Sequence, residues 1–138
     1  MGLQSFVFEA RNHLPTRSVR AAVGWRQGRE PVVAGPVLPR KDSQRFLEAR
    51  GLYHAAHACG QGPRLITAAH TWDQQASRVF AAELLAPRAG LLADIPSELN
   101  MSAEDWEALT ARLSKKYLVS MQVIEHQLEN AGVEPAAE

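Results

Sequence analysis

Residues 44–54 read QRFLEARGLYH, and the spacing of their apolar side chains decides how the middle of the chain folds. Phe46, Ala49, Leu52, Tyr53 and Ala56 recur at three- and four-residue intervals, the repeat that lines up side chains on one face of an α-helix. Asp42 and Ser43, just before them, carry the short oxygen-bearing side chains that cap the free N–H groups of a first helical turn. Cys59 and Gly60, followed by the run GQGP, stop the pattern, because glycine accepts the left-handed conformation that closes a helix and proline cannot continue one. A helix is expected from about residue 42 to the neighbourhood of Cys59. It places Arg50 and His54 one turn apart on one side.

Working outward toward the N-terminus, residues 19–25 (VRAAVGW) and 31–38 are apolar and rich in β-branched side chains, and the RQGRE segment between them can turn the chain. This predicts a small β-hairpin. Pro31, Pro36 and Pro39 lack backbone donors, so the second arm is expected to be an edge or irregular strand, open around Val32 and Leu38 to an extended peptide that adds as a further strand. Residues 1–11 are a short amphipathic piece with Phe6, Val7 and Phe8, given no assigned state and ended by Pro15. Toward the C-terminus, residues 64–69 read as extended. A second helix is expected from Asp73 to Leu85, with an apolar stripe of Val79, Phe80 and Leu84 around Ala76, stopping before Pro87. Ser102 with Asp105 resembles a capping box and opens a helix through Trp106, Leu109 and Leu113. After a break at residues 117–120, Ser120 caps a last helix through Val123, Ile124 and Leu128 that ends at residues 130–132. The expectation is one α+β domain, a small antiparallel sheet packed on a bundle of about four helices. It divides into an N-terminal extension (1–18), a hairpin region (19–40), a helical core (42–132) and a frayed tail (133–138).

Composition narrows the function classes. The 138 residues carry 15 basic and 15 acidic side chains, a balance that argues against a dedicated nucleic-acid binder. The charges are segregated: residues 11–50 hold nine basic and three acidic side chains, whereas residues 91–138 hold three and nine. Such a split reads first as two solvated surfaces, and beside that as a basic face for an acidic partner or a means of head-to-tail self-association. A single cysteine, Cys59, excludes an intrachain disulfide and suits a reducing cytoplasm. No run approaches the ~18 apolar residues of a membrane span. The opening MGLQSFVFEARNHL reads as neither a signal peptide nor a myristoylation site. The C-terminal helix pair has the outline of a DNA reader, but Glu104, Glu125 and Glu129 would repel phosphates, so a packing role is the better expectation. Trp25, Trp72 and Trp106 are expected as core or interface anchors.

Two histidines at i and i+4 with a glutamate after the first chelate one zinc and hold a general base beside its water, whose pKa the metal lowers toward ~7. The stretch at 44–54 keeps the last element of that pattern, His54, but carries Arg50 in place of the first histidine and Gly51 in place of the glutamate.

QRFLEA before this site, ASRVFAAELLAP after it and KKYLVSMQVIEHQLENAG near the end together resemble the ImmA/IrrE family of metallopeptidases, over residues 19–132. The resemblance implies a minimal zincin-like fold. It implies that His54 matches the second zinc histidine, that Arg50 and Gly51 stand at the first histidine and the catalytic glutamate, and that Asp73 is the third, acidic ligand. It also implies a missing N-terminal helical portion, hence an uncovered apolar surface and a homo-oligomer. A guanidinium stays protonated and cannot ligate zinc, so no cofactor is expected, or zinc only if a site survives. An Arg50–Asp73 ion pair is the expected substitute for the metal. The plainer readings are Arg50 reaching solvent along its own stem and Asp73 favoured by the helix dipole. His54, His57, Cys59, His70 and Asp73 fall within 20 residues but show no known zinc spacing. The function this implies is a catalytically degenerate, cytoplasmic, bacterial or phage-like regulatory module that binds a protein, such as a repressor or a mobile-element regulator. Two alternatives stand beside it: an active zinc peptidase with a non-standard site from His54, Asp73 and His57 or His70, and a DNA-associated transcriptional regulator.

Overall fold

The structure, a computed structural model, describes residues 7–11, 18–27, 30–57, 62–96 and 102–135. The chain gathers into two compact units, residues 1–81 and residues 82–138.

The first unit is a four-stranded sheet with a helix on one face. Strands β2 (Val19–Arg26) and β3 (Glu30–Gly35) form the expected hairpin, in register from Ala22 opposite Ala34 to Arg26 opposite Glu30. Strand β4 (Arg64–Thr67) pairs antiparallel with the other side of β2. Strand β1 (Val7–Ala10) lies parallel to β3, with Val7 opposite Val32. The order is β1-β3-β2-β4, so the sheet is mixed through this one parallel pair. It also makes β3 an interior strand, which corrects the expectation of an open edge around Val32. Pro31 is accommodated next to the strand's start, opposite Trp25, while Pro36 and Pro39 fall beyond its end at Gly35.

Alternation in the strands sorts the side chains. Ala21, Val23, Val33 and Ile66 turn to one face, joined by Phe8 and Leu38, and helix α1 (Lys41–His57) lays Leu47 and Ala55 against them. Ala22, Gly24, Val32 and Ala34 turn to the opposite face. With Pro63 and Trp25 they line a shallow groove of about 280 Å³, at whose side stand Glu9 and Arg26, themselves an ion pair. Helix α1 runs from before Asp42 to His57. Asp42 sits inside the first turn rather than at the cap, and its carboxylate accepts from the N–H of Ser43 (2.7 Å). The expected stop at Cys59 lies outside the described residues.

Helix α2 (Trp72–Leu85) ends at Ala86, and the second unit continues through α3 (Arg88–Ala93), α4 (Ala103–Tyr117) and α5 (Met121–Asn130). Its core is Ala86, Leu91, Leu109, Leu113, Val119, Ile124 and Leu128, with Trp106 packed at the side. Both serine caps stand as read: Ser102 Oγ accepts from the N–H of Asp105 (3.2 Å) and Ser120 Oγ from that of Val123 (3.3 Å). The break between them is closed by Leu118 in the left-handed region (φ 54°). Gln127 of α5 caps the end of α2, its Nε2 donating to the Ala86 carbonyl (3.0 Å) and to Glu83 (2.9 Å). Among the described residues no helix is long and apolar enough to cross a membrane.

Candidate functional site

Helix α1 turns two adjoining stripes inward. Leu47, Gly51 and Ala55, each four residues apart, face the sheet. Gly51 is there because the helix and β3 approach closely: a Cβ at this position would overlap the methyl groups of Val33. The position that resembles a general-base site is therefore a packing contact with no room for a carboxylate.

Arg50 and His54 form the second stripe, and both are buried, 6% and 4% exposed. Arg50 Nε donates to Ser77 Oγ (3.0 Å), and its Nη2 donates to the Thr67 carbonyl (3.0 Å) and to Gln74 Oε1 (2.7 Å). All three acceptors are neutral. The amide of Gln74 is itself held at β4: Oε1 accepts from the N–H of Thr67 (2.8 Å) and Nε2 donates to the Leu65 carbonyl (2.8 Å). Ser77 Oγ donates in turn to the Gln74 carbonyl (2.9 Å). The Gln74 side chain thus pairs with the strand as a neighbouring peptide group would, and occupies the outer edge of β4 at Leu65 and Thr67.

The expected Arg50–Asp73 ion pair is not formed; Asp73 is exposed and Arg50 is bonded to its neighbour instead. The reason is helical rotation. Gln74, Ser77 and Ala81 are the buried face of α2, and Asp73, about 100° round the helix from Gln74, points away. Nor do Val79 and Leu84 make an inward stripe, since both are exposed, as is Trp72 at 76%. The apolar residues of this part of α2 lie outside and its polar ones inside, because a buried guanidinium needs oxygen acceptors more than it needs methyl groups. The sequence reasoning missed Thr67, Gln74 and Ser77. The available signal was the i, i+3 spacing of Gln74 and Ser77 in line with Ala81.

Burial pushes the Arg50 guanidinium down to about 10, with Arg78 and Arg20 adding repulsion, and it remains charged at neutral pH. Burial likewise lowers His54, the cation at Arg50 lowers it further and Asp73 opposes them, so the imidazole is neutral. Its Nε2 is the one side-chain nitrogen or oxygen among the described residues that is sealed from solvent without a partner. Tyr53 packs edge-on to this ring, stacks on His57 (4.2 Å between centroids) and touches Phe80.

These residues do not fit zinc. Arg50 has no lone pair to give, Gly51 has no side chain, and Gln74 Oε1 is already shared by two donors. The substitute ligands are not assembled either. His57 is exposed with Nδ1 at 2.9 Å from the Tyr53 carbonyl, His70 is exposed, and Cys59 lies outside the described residues. Among the described residues no three His, Cys, Asp or Glu side chains converge on a common point. No model of a known protein family matches the chain, and no curated protein is significantly similar to it.

Proposed function

We propose that this chain is a catalytically degenerate relative of the ImmA/IrrE metallopeptidases that works in the cytoplasm by binding a regulatory protein, such as a repressor. The observation that carries the reading is the identity of the groups at the centre of the first unit. A helix with the RF-x-x-A lead-in and His54 presents Arg50, one turn before that histidine, to Gln74 and Ser77 of the following helix. A guanidinium stands at the position the resemblance gives to the first zinc histidine, and it is met by the amide of Gln74, the residue after Asp73. The arginine supplies the positive charge and the cross-link between helices, but no Lewis acid. With Gly51 packed against Val33, this position offers no carboxylate to take a proton from water. What such a relic can still do is bind. The outer side of α2 supports a protein partner: Trp72 and Val79, two turns apart on one side of the helix, are 76% and 66% exposed.

Elemental analysis after dialysis without chelator tests the loss of the metal. A content below about 0.1 zinc per chain agrees with the reading, since a preformed zinc site holds its metal through dialysis. One zinc per chain together with chelator-sensitive peptide cleavage would overturn it. The binding surface is tested with a panel of purified repressor proteins: for any that binds, Trp72→Ala should abolish complex formation on size exclusion, and an unchanged complex would exclude the α2 face.

A further inference from the structure

The two edges of the sheet are not alike. At β4 the Gln74 amide takes up the outer backbone groups, accepting from the Thr67 N–H (2.8 Å) and donating to the Leu65 carbonyl (2.8 Å). At β1 the register shows which groups are left over. Arg11 donates its N–H to the Gly35 carbonyl (2.7 Å). Val7, Glu9 and Arg11 therefore turn their peptide groups toward β3, and Phe8 and Ala10, alternating with them, turn theirs outward. Among the described residues nothing bonds the N–H or the C=O of Phe8 or Ala10. Strand β1 holds no proline and pairs with β3 without a bulge, so neither device that commonly blunts an edge is present in it. Such an edge is completed by water or by another extended chain.

The side chains of β1 select the chain that fits. Glu9 and Arg11 lie on one side of the strand, opposite in charge and two residues apart, with Arg11 Nη2 3.0 Å from Glu9 Oε2 and the arginine side chain 65% exposed. When two β1 strands meet antiparallel, the outward groups of Phe8 and Ala10 have to occupy the hydrogen-bonded positions. Setting Ala10 opposite Ala10 of the second copy then places each Glu9 opposite the other copy's Arg11, at non-hydrogen-bonded positions where Cα atoms are about 4.5 Å apart. A slip that sets Phe8 opposite Ala10 would bring Glu9 against Glu9, and like charges directly opposite are unfavourable. The charges that would keep a strand of one sign from pairing with itself here specify one register.

We propose that β1 is the interface of a symmetric dimer, in which two copies of this chain join β1 to β1 antiparallel about a two-fold axis at Ala10 and share one continuous sheet. The contact is isologous, each copy offering the same patch, so it closes at two chains. It is also short, and the dimer is accordingly weak, half-formed at about 100 µM chain. The interface stands on strand register and charge and is independent of the reading of this chain as a peptidase relative.

The test is sedimentation equilibrium of the intact protein from about 10 µM to about 1 mM, in about 300 mM sodium chloride so that long-range attraction between unlike charges is screened. The expected mass rises from one chain to two and no further. Over the same range amide exchange at Phe8 and Ala10 should slow, while that at Arg11, already bonded to Gly35, stays constant. Glu9→Arg and Arg11→Glu should each weaken the dimer about tenfold, because the two-fold axis repeats every unfavourable pair. The double variant should dimerise again, and the two single variants mixed together should form a heterodimer. Ala10→Pro removes an outward donor and no bond within the fold, and should leave a monomer. A mass of one chain throughout, single variants that do not associate when mixed, or a dimer that survives both Ala10→Pro and the charge substitutions would overturn the interface.

Discussion

At Gly51 a single missing side chain sets the distance between α1 and the sheet. Alanine in an exposed helix is favoured over glycine by about 1 kcal/mol, yet here the added methyl meets Val33, itself fully buried. Overpacking of a filled core costs typically ~1–3 kcal/mol, so the steric effect wins. Gly51→Ala is expected to destabilise, and Gly51→Ala with Val33→Ala to recover part of the loss, as urea denaturation of the four-member cycle will show; equal and additive losses would refute the contact. A glutamate placed at Gly51, larger still than alanine, should damage folding further. The neighbouring residue gives a pH prediction. His54 titrates at 6.5 when unperturbed and lower in the fold because it is buried. The unfolded chain then binds the proton more readily, so the stabilising difference is fully present above pH 6.5, declines below it and is exhausted once pH falls through the folded value. Melting temperature should fall as pH drops below about 6.5. In His54→Leu that slope should be absent and, with one orphaned buried nitrogen removed, stability near neutrality should rise by about 1 kcal/mol. An unaltered slope would place the responsible group elsewhere.

Between elements, the decisive join is Gln74, which ties α2 to β4 and to α1 with one amide. Gln74→Ala removes the acceptor of Arg50 Nη2, the partner of the Thr67 N–H and the donor to the Leu65 carbonyl together. At ~1 kcal/mol for each lost bond, and more where a buried donor is stranded, a loss of ~2–4 kcal/mol is expected by chemical denaturation. Amide exchange at Thr67 should accelerate more than at Val23, which stays inside the sheet. A loss under about 0.5 kcal/mol, the scale of a surface substitution, would mean that water replaces the amide. This join also shows which parts of the fold were legible from the chain. The caps at Ser102 and Ser120, the break before Ser120 and the β2–β3 hairpin were readable because their determinants are neighbours in sequence. The burial of Arg50 and the face of α2 were not. Hydrophobic spacing around Val79 and Leu84 suggested the wrong inward side, since the face was chosen by a guanidinium on another helix. Likewise, nothing local to residues 7–10 shows that they pair parallel with β3, and that pairing turns an expected edge into the sheet interior. At the candidate site, helical spacing put Arg50 and His54 on one side of α1, whereas Gly51 stood out only through the resemblance to a zinc motif. The partner on α2 was misplaced by one residue, which on a helix is enough to exchange an inward side chain for an outward one.

Across the whole molecule, the balance of charge conceals a division that follows the two compact units. Residues 1–81 hold eleven Lys and Arg against five Asp and Glu, whereas residues 82–138 hold four against ten. The segregation was visible in the sequence, but its agreement with a structural boundary was not, because charge counts do not locate the boundary within α2. A chain of zero net charge has no overall repulsion to keep copies apart. A basic unit on one molecule can therefore meet an acidic unit on the next. Much of the surface charge is already paired within its own unit, as Arg26 is with Glu30 and Lys116 with Asp94, and such exposed pairs contribute little to stability. What remains is the excess on each unit, six positive and six negative. At about 10 mM salt the field of that excess reaches ~30 Å, against ~8 Å at about 150 mM. Static light scattering should therefore report a mass above that of one chain at low salt and approach the monomer as salt is added. Replacing Lys115 and Lys116 by glutamate, which deepens the acidic excess and leaves the other unit unchanged, should shift the transition to higher salt through stronger attraction between unlike units. If the mass instead rises with salt, association is driven by apolar surface such as Trp72 and Val79 rather than by charge, and Trp72→Ala should then abolish it while the lysine substitutions leave it unchanged.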